Sequence, residues 1–431
     1  MADVRPFRAL RYNAALADPA LTIAPPYDVI SPEHQAVLYE RSAHNIVRIE
    51  YGEQRVTDTA GDSRYTRAAH DLDAWRAAGV LMRDAAPAVY AYRQEFEWEG
   101  ERHARMAYFA AVRLEPWDAG VIKPHEHTLS GPKADRLDLL RATRTQVSPV
   151  YSLFRPRDDA APSLPPMSGE ALYDVEADGQ RHILSAVRDD AQVRAFAAHL
   201  AACDVYIADG HHRYETALTY RNECRARATA WTGDEPENFV LMALTAADDR
   251  GLLVLPTHRL LNPPRLPADA LAQIGRHFRT EDVSAGGLPA LLAALAATQP
   301  GDTRFGAIGL AAGAMHVLTL ADRPGIEAMM PAGQPAAWKR LDVSVLQLGI
   351  LAPVFGIDDA VLAAGGAVAY TQDPRQAEAA VASHDARVAF LLNATPVDQV
   401  LAVADASGRM PQKSTYFHPK LPTGLVLNAL D

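Results

Sequence analysis

The most restrictive feature of the sequence is the run from Asp204 to Tyr214, where an apolar segment ends at Ala208 and passes through Asp209-Gly210-His211-His212-Arg213 into a helical pattern. Asp204 to Ala208 reads as a strand, and Tyr214, Ala217 and Leu218 share one face of the helix that follows. Only a tight turn joins the two, and Gly210 is the residue that lets the backbone turn and a ligand approach it. The first N–H groups of the helix have no partner within it and lie at the positive end of its dipole. Arg213 adds a planar fork of donors, and His211 and His212 add donors that become cationic beside phosphate. The turn is therefore expected to cradle an anion, most simply a phosphate group. The plainer reading is a helix start capped by Asp209, with surface histidines. A metal held by Asp209, His211 and His212 is a further reading, weakened because adjacent histidines rarely aim at one ion.

Composition narrows the function classes. The 431 residues are 48% apolar and 22% charged, values of an ordinary globular chain with about two or three domains. Lys and Arg number 42 against 53 Asp and Glu, a net charge of −11, which argues against nucleic acid or anionic lipid as a partner. With only Cys203 and Cys224, no disulfide framework or cysteine-rich zinc site is available. The N-terminal residues lead into no apolar signal core, and no uncharged run reaches the roughly eighteen residues of a membrane span, so a cytoplasmic protein is expected.

Ser31-Pro32-Glu33 predicts a capped helix to about Tyr39, and alternation over Ile46–Tyr51 predicts a strand. A helix is expected over Arg64–Ala78, and Glu99-Gly100 marks a hairpin between Ala88–Glu97 and Arg102–Leu114. A second hairpin is expected within Ala171–Val187, and a third pairing Phe239–Thr245 with Gly251–Leu255. The proline-rich run Asn262–Pro267 suggests a linker, dividing the chain into regions 1–262 and 263–431. The expected fold class is α+β, a mixed sheet-and-helix core with an additional α/β C-terminal region.

Three further segments could carry chemistry. Lys123-Pro124-His125-Glu126-His127-Thr128, with Lys133 and Arg136, concentrates both charge signs on a stiffened loop, offering Glu126 for proton transfer and cations for phosphate or substrate. Pro25-Pro26-Tyr27-Asp28 holds a carboxylate on a rigid loop, suited to a general base or a magnesium ligand. In Met410–Lys420, Lys413-Ser414-Thr415 lacks the glycines of a nucleotide-binding P-loop, although Lys413 could still reach a phosphate. Solvated loops and simple caps are the ordinary readings of these segments. Pro256-Thr257-His258-Arg259 is more simply a polar turn at a strand end. No Gly-x-Ser-x-Gly elbow and no Gly-x-Gly-x-x-Gly fingerprint is present.

Taken in order, Pro25–Ile30, Lys123–Arg136, Ala208–Ala217 and Met410–Lys420 resemble the family called domain of unknown function 1015. The Asp-Gly-His-His-Arg turn is similar to the signature turn of the ParB/sulfiredoxin superfamily, which implies a ParB/sulfiredoxin-like core in region 1–262. His211 stands where sulfiredoxin has its catalytic Cys, so that chemistry is not implied. The turn also resembles that of free-serine kinases, which implies nucleotide phosphates held by Asp209, Gly210, His211, His212 and Arg213. The resulting expectation is a phosphotransferase using ATP or ADP with Mg²⁺ on a small hydroxyl compound such as L-serine. In it Lys413 joins the phosphate site, Lys123, His125, Lys133 and Arg136 hold substrate, and His211 assists Asp28 or Glu126 in catalysis. Two alternatives stay open, a ParB-like nucleotide-binding DNA regulator and a metal-dependent hydrolase.

Overall fold

A computed structural model describes residues 1–128, 130–158, 164 and 167–431. The chain forms two compact units. Residues 1–124, 128–253 and 419–431 make the first, and residues 125–127 and 254–418 make the second. The proline run 262–267 therefore lies inside the second unit.

The first unit is built on a nine-stranded mixed sheet. Its strands are β1 (Val4–Arg5), β2 (Val89–Trp98), β3 (Glu101–Arg113), β4 (Ile122–Lys123), β5 (Val150–Pro156), β6 (Glu170–Ala177), β7 (Gln180–Val187), β8 (Cys203–Asp209) and β9 (Phe239–Ala246). They run in the order β4-β8-β5-β9-β3-β2-β7-β6, with β1 also on β3. The β2–β3 hairpin forms at its Glu99-Gly100 turn, and β6–β7 forms the second hairpin expected. The β8–β4 and β9–β5 pairs are parallel and the others antiparallel, which gives the α+β character expected. Val205, Ile207, Val150, Val240 and Met242 pack with Phe196 and Leu200 into one core on this sheet.

Two expectations change here. Phe239–Ala246 forms no hairpin with the following strand but sits between β5 and β3. Leu241 to Leu244 are buried on both faces, as a central strand requires. Ile46–Tyr51 is not a strand either, because Val47–Glu50 is a helical turn. Asn45 accepts from the Val47 N–H and donates to the carbonyls of Leu21 and Ile23. Ile46, Val47, Ile49 and Glu50 are all buried, a helical spacing that a short apolar run cannot distinguish from alternation.

The second unit has a six-stranded sheet. Its strands are β10 (His258–Leu261), β11 (Phe278–Asp282), β12 (Arg304–Ile308), β13 (Met315–Leu320), β14 (Val368–Thr371) and β15 (Val388–Leu391). Their order is β11-β13-β12-β15-β10-β14, and every pairing is antiparallel. Helices Gly287–Ala296 and Pro374–Ala382 cover one core, and Val397–Asp405 packs into another.

His258 is buried on β10, where its Nδ1 accepts from the Leu392 N–H at 3.2 Å. Burial, with Arg259 beside it, pushes its pKa down from 6.5 to about 4, so the native ring is neutral. The unfolded chain takes up this proton first as pH falls. The contribution is therefore intact above pH 6.5 and lost progressively toward pH 4, reaching about 3 kcal/mol. Urea unfolding across this window should show that loss, and His258→Gln should flatten it. Equal slopes in both proteins would reject the assignment.

Candidate functional site

The Asp209 turn sits where the sequence places it, but its chemistry differs from a capped helix. Helix α1 runs from His211 to Arg227, with Gly210 as its N-cap and no side-chain cap. His211, His212 and Arg213 thus form the first helical turn rather than the loop before Tyr214. Gly210 has φ +94°, and a Cβ there would lie 2.9 Å from Arg213 Nε. Only glycine satisfies both the left-handed backbone and this close approach.

Asp209 is not a cap. Its Oδ1 accepts from Lys420 Nζ at 2.6 Å, and its Oδ2 accepts from Arg213 Nη2 at 2.5 Å. Arg213 also donates to the Pro149 carbonyl. Burial alone would raise the Asp209 pKa, yet Lys420 and Arg213 hold it well below the usual carboxylate range. Two cations meet one carboxylate at the positive end of a 17-residue helix, which leaves net positive charge for an anion.

A second cluster belongs to the same unit. Glu50, 2% exposed, faces Arg136 Nη1 at 3.2 Å and accepts from Ser148 Oγ at 2.5 Å. Ser148 in turn meets Thr423 Oγ1 at 2.9 Å. Burial raises the Glu50 pKa against the pull of Arg136, Ser148 and Arg213. Arg136 also pairs with Asp135 at 2.6 Å and lies over the Tyr27 ring, whose pKa burial pushes to about 12. Glu50, Arg136, Ser148, Arg213 and Thr216 line one cavity of about 50 Å³, walled by Leu139, Val147 and Val240. That volume has room for more than one water.

Asp209, Gly210, His211, His212 and Arg213 are contiguous at the start of α1, and Arg136 lines the same cavity as Arg213. Asp28 is exposed on the turn Tyr27–Val29, next in sequence to the ring beneath Arg136. Lys133 is engaged by Glu215 at 2.9 Å, together with Thr128 and Trp117. Lys123 pairs with Asp204 at 2.8 Å, at the opposite end of β8 from Asp209. His125, Glu126 and Lys413 lie in the second unit. There Glu126 Oε1 accepts from the Lys413 N–H at 2.9 Å, and the His125 ring meets Thr415 and Phe417. Among the described residues, no three His, Cys, Asp or Glu side chains converge as a metal site.

Glu50 and Lys420 are the functional candidates that sequence reasoning missed. Lys420 closes the Met410–Lys420 segment, and its position after Pro419 was the available signal. Glu50 carried none, lying inside what reads as a strand.

The chain belongs to the family described as protein of unknown function (DUF1015), whose model matches residues 4–344. No curated protein matches it in sequence. Among solved structures, it is similar to a conserved hypothetical protein from Pyrococcus furiosus, with 13% identity, TM-score 0.35, and coverage of 74% of this chain and 94% of that one. It is also similar to a free serine kinase variant in complex with AMP, with 10% identity, TM-score 0.37, and coverage of 74% and 92%. A third is C-terminally truncated SbnI from Staphylococcus aureus, with 10% identity, TM-score 0.35, and coverage of 74% and 87%. Among the described residues, no helix is long and apolar enough to cross a membrane.

Asp209→Ala leaves Arg213 and Lys420 without their counter-charge, which should cost about 3–5 kcal/mol. Lys420→Met keeps the Asp209–Arg213 pair and should cost less. Urea unfolding of the two variants measures the order, and an Asp209→Ala midpoint equal to wild type would refute it.

Proposed function

We propose that the chain is a nucleotide-dependent phosphotransferase that moves a phosphoryl group from ATP or ADP to the hydroxyl of a small acceptor. L-serine is the first acceptor to test. The observation that carries this reading is the pair of cations on Asp209 at the start of α1. Phosphoryl transfer needs little covalent chemistry from a protein, only positioning and charge neutralisation. Arg213, Lys420, His211 and His212 supply donors and positive charge at one helix N-terminus and on its flanking segments. The similarity of the Asp-Gly-His-His-Arg turn to free-serine kinases, and to the ParB/sulfiredoxin superfamily more broadly, supports the same reading.

As the acceptor oxygen bonds to phosphorus and the donor's bridging P–O bond breaks, the hydroxyl proton must leave. Glu50 is the best-placed base, because it lines the cavity with Arg213 and burial raises its proton affinity. Mg²⁺ arriving with the nucleotide would neutralise phosphate charge. Both Asp209 oxygens are engaged, so Asp28, exposed on its proline-fixed loop, is the carboxylate suited to hold it.

Purified protein with Mg²⁺, L-serine and either ATP or ADP should yield phosphoserine. Glu50→Gln should lower turnover by about 10²–10⁴-fold while nucleotide still binds. Absence of phosphoserine with both nucleotides would exclude serine as the acceptor, and wild-type turnover in Glu50→Gln would exclude Glu50 as the base.

A further inference from the structure

The second unit holds a buried cation without a counter-ion. Arg259, on β10, is 5% exposed. Its Nη1 donates to the Thr257 carbonyl and its Nη2 to the Lys413 carbonyl at 3.2 Å, and it lies 5.6 Å from the centre of the Tyr370 ring. Among the described residues no carboxylate comes within ion-pair distance of it. Arg136 in the first unit, equally buried, is met by both Glu50 and Asp135. The absence has an electrostatic cost: burial brings the Arg259 pKa down from 12.5 to about 10.

Thr257 supplies an independent observation. It is 4% exposed, and its hydroxyl has no hydrogen-bond partner among the described residues. Buried hydroxyls in native proteins are almost always satisfied, so this one calls for a partner. Thr257 immediately precedes β10, and the Arg259 guanidinium folds back onto its carbonyl. The Arg259 bond to the Lys413 carbonyl brings a third residue beside them. Lys413 is exposed and holds φ +56°, a left-handed backbone that a non-glycine residue adopts only under constraint. Glu126 is the nearby carboxylate, and its Oε1 is taken by the Lys413 N–H.

We infer that Thr257, Arg259 and Lys413 form a phosphate-binding site in the second unit, entered from the side where Lys413 is exposed. A phosphate group matches the set. It gives the guanidinium its missing anion, accepts from the orphan hydroxyl, and can take the lysine as a point charge. A tetrahedral oxyanion accepts donors from three directions, which a planar carboxylate does less well. The site does not depend on the phosphotransferase reading.

The test is calorimetric titration of the full chain with inorganic phosphate, against chloride at equal ionic strength. Thr257→Val keeps the side-chain volume and removes one donor, and Arg259→Met removes the cation. Each should weaken one phosphate site by about ten-fold or more. Thr257→Val should also unfold at the same temperature as wild type or higher, because it removes an unsatisfied polar atom. Lys420→Met, in the first unit, should leave this site unchanged whether or not phosphate also binds at Asp209. A wild-type chain that binds no phosphate sensitive to Thr257→Val, or a site lost in Lys420→Met and kept in Arg259→Met, would overturn the proposal.

Discussion

The geometry around the turn into the His211–Arg227 helix depends on one carboxylate. Asp209 ends a buried strand, and it is tied at once to the helix that follows and to a lysine 211 residues further along the chain. An isolated ion pair at a surface would contribute little. Here the side chain is largely buried, so leaving any one of the three groups alone is far costlier than the pairing is favourable. The arrangement therefore fixes geometry more than it adds stability. It sets the entry angle of α1, holds Arg213 across Gly210, and docks the last segment of the chain onto the unit.

The same logic distinguishes the carboxylates of this unit by the job each can do. Asp209 is locked as an anion between two cations. Glu50 has its proton affinity raised by burial. Asp28 is open to solvent, and Glu215 is held by Lys133 and Thr128. Four acidic side chains thus occupy four electrostatic settings, and of these four Glu50 is the one that lines the cavity.

What the sequence made legible was local. The Asp209 turn could be read because a strand, a glycine and a helix follow one another without interruption, and the β2–β3 hairpin because Glu99-Gly100 is its own signal. What stayed hidden depends on distant partners. Glu50 acquires its character from Arg136, 86 residues away, and from Ser148, 98 residues away. Lys420 is one of five lysines in the chain, and only the fold brings it to Asp209. The misreadings at Ile46–Tyr51 and Phe239–Thr245 have the same root. Short apolar runs fit more than one element, and burial from neighbouring elements decides between them.

The first unit is completed by residues 419–431, which come after the whole second unit in the chain. Leu427 exchanges backbone hydrogen bonds with Leu10, Thr423 with Ala24, and Asn428 pairs with Gln146. A ribosome that has made the Asp209 turn has therefore not yet made the lysine that neutralises it. Through synthesis of the intervening two hundred or so residues, Asp209 has Arg213 alone. The order of translation makes this site the last part of the first unit to mature, and a chain cut short before residue 419 lacks it however well its sheet has formed.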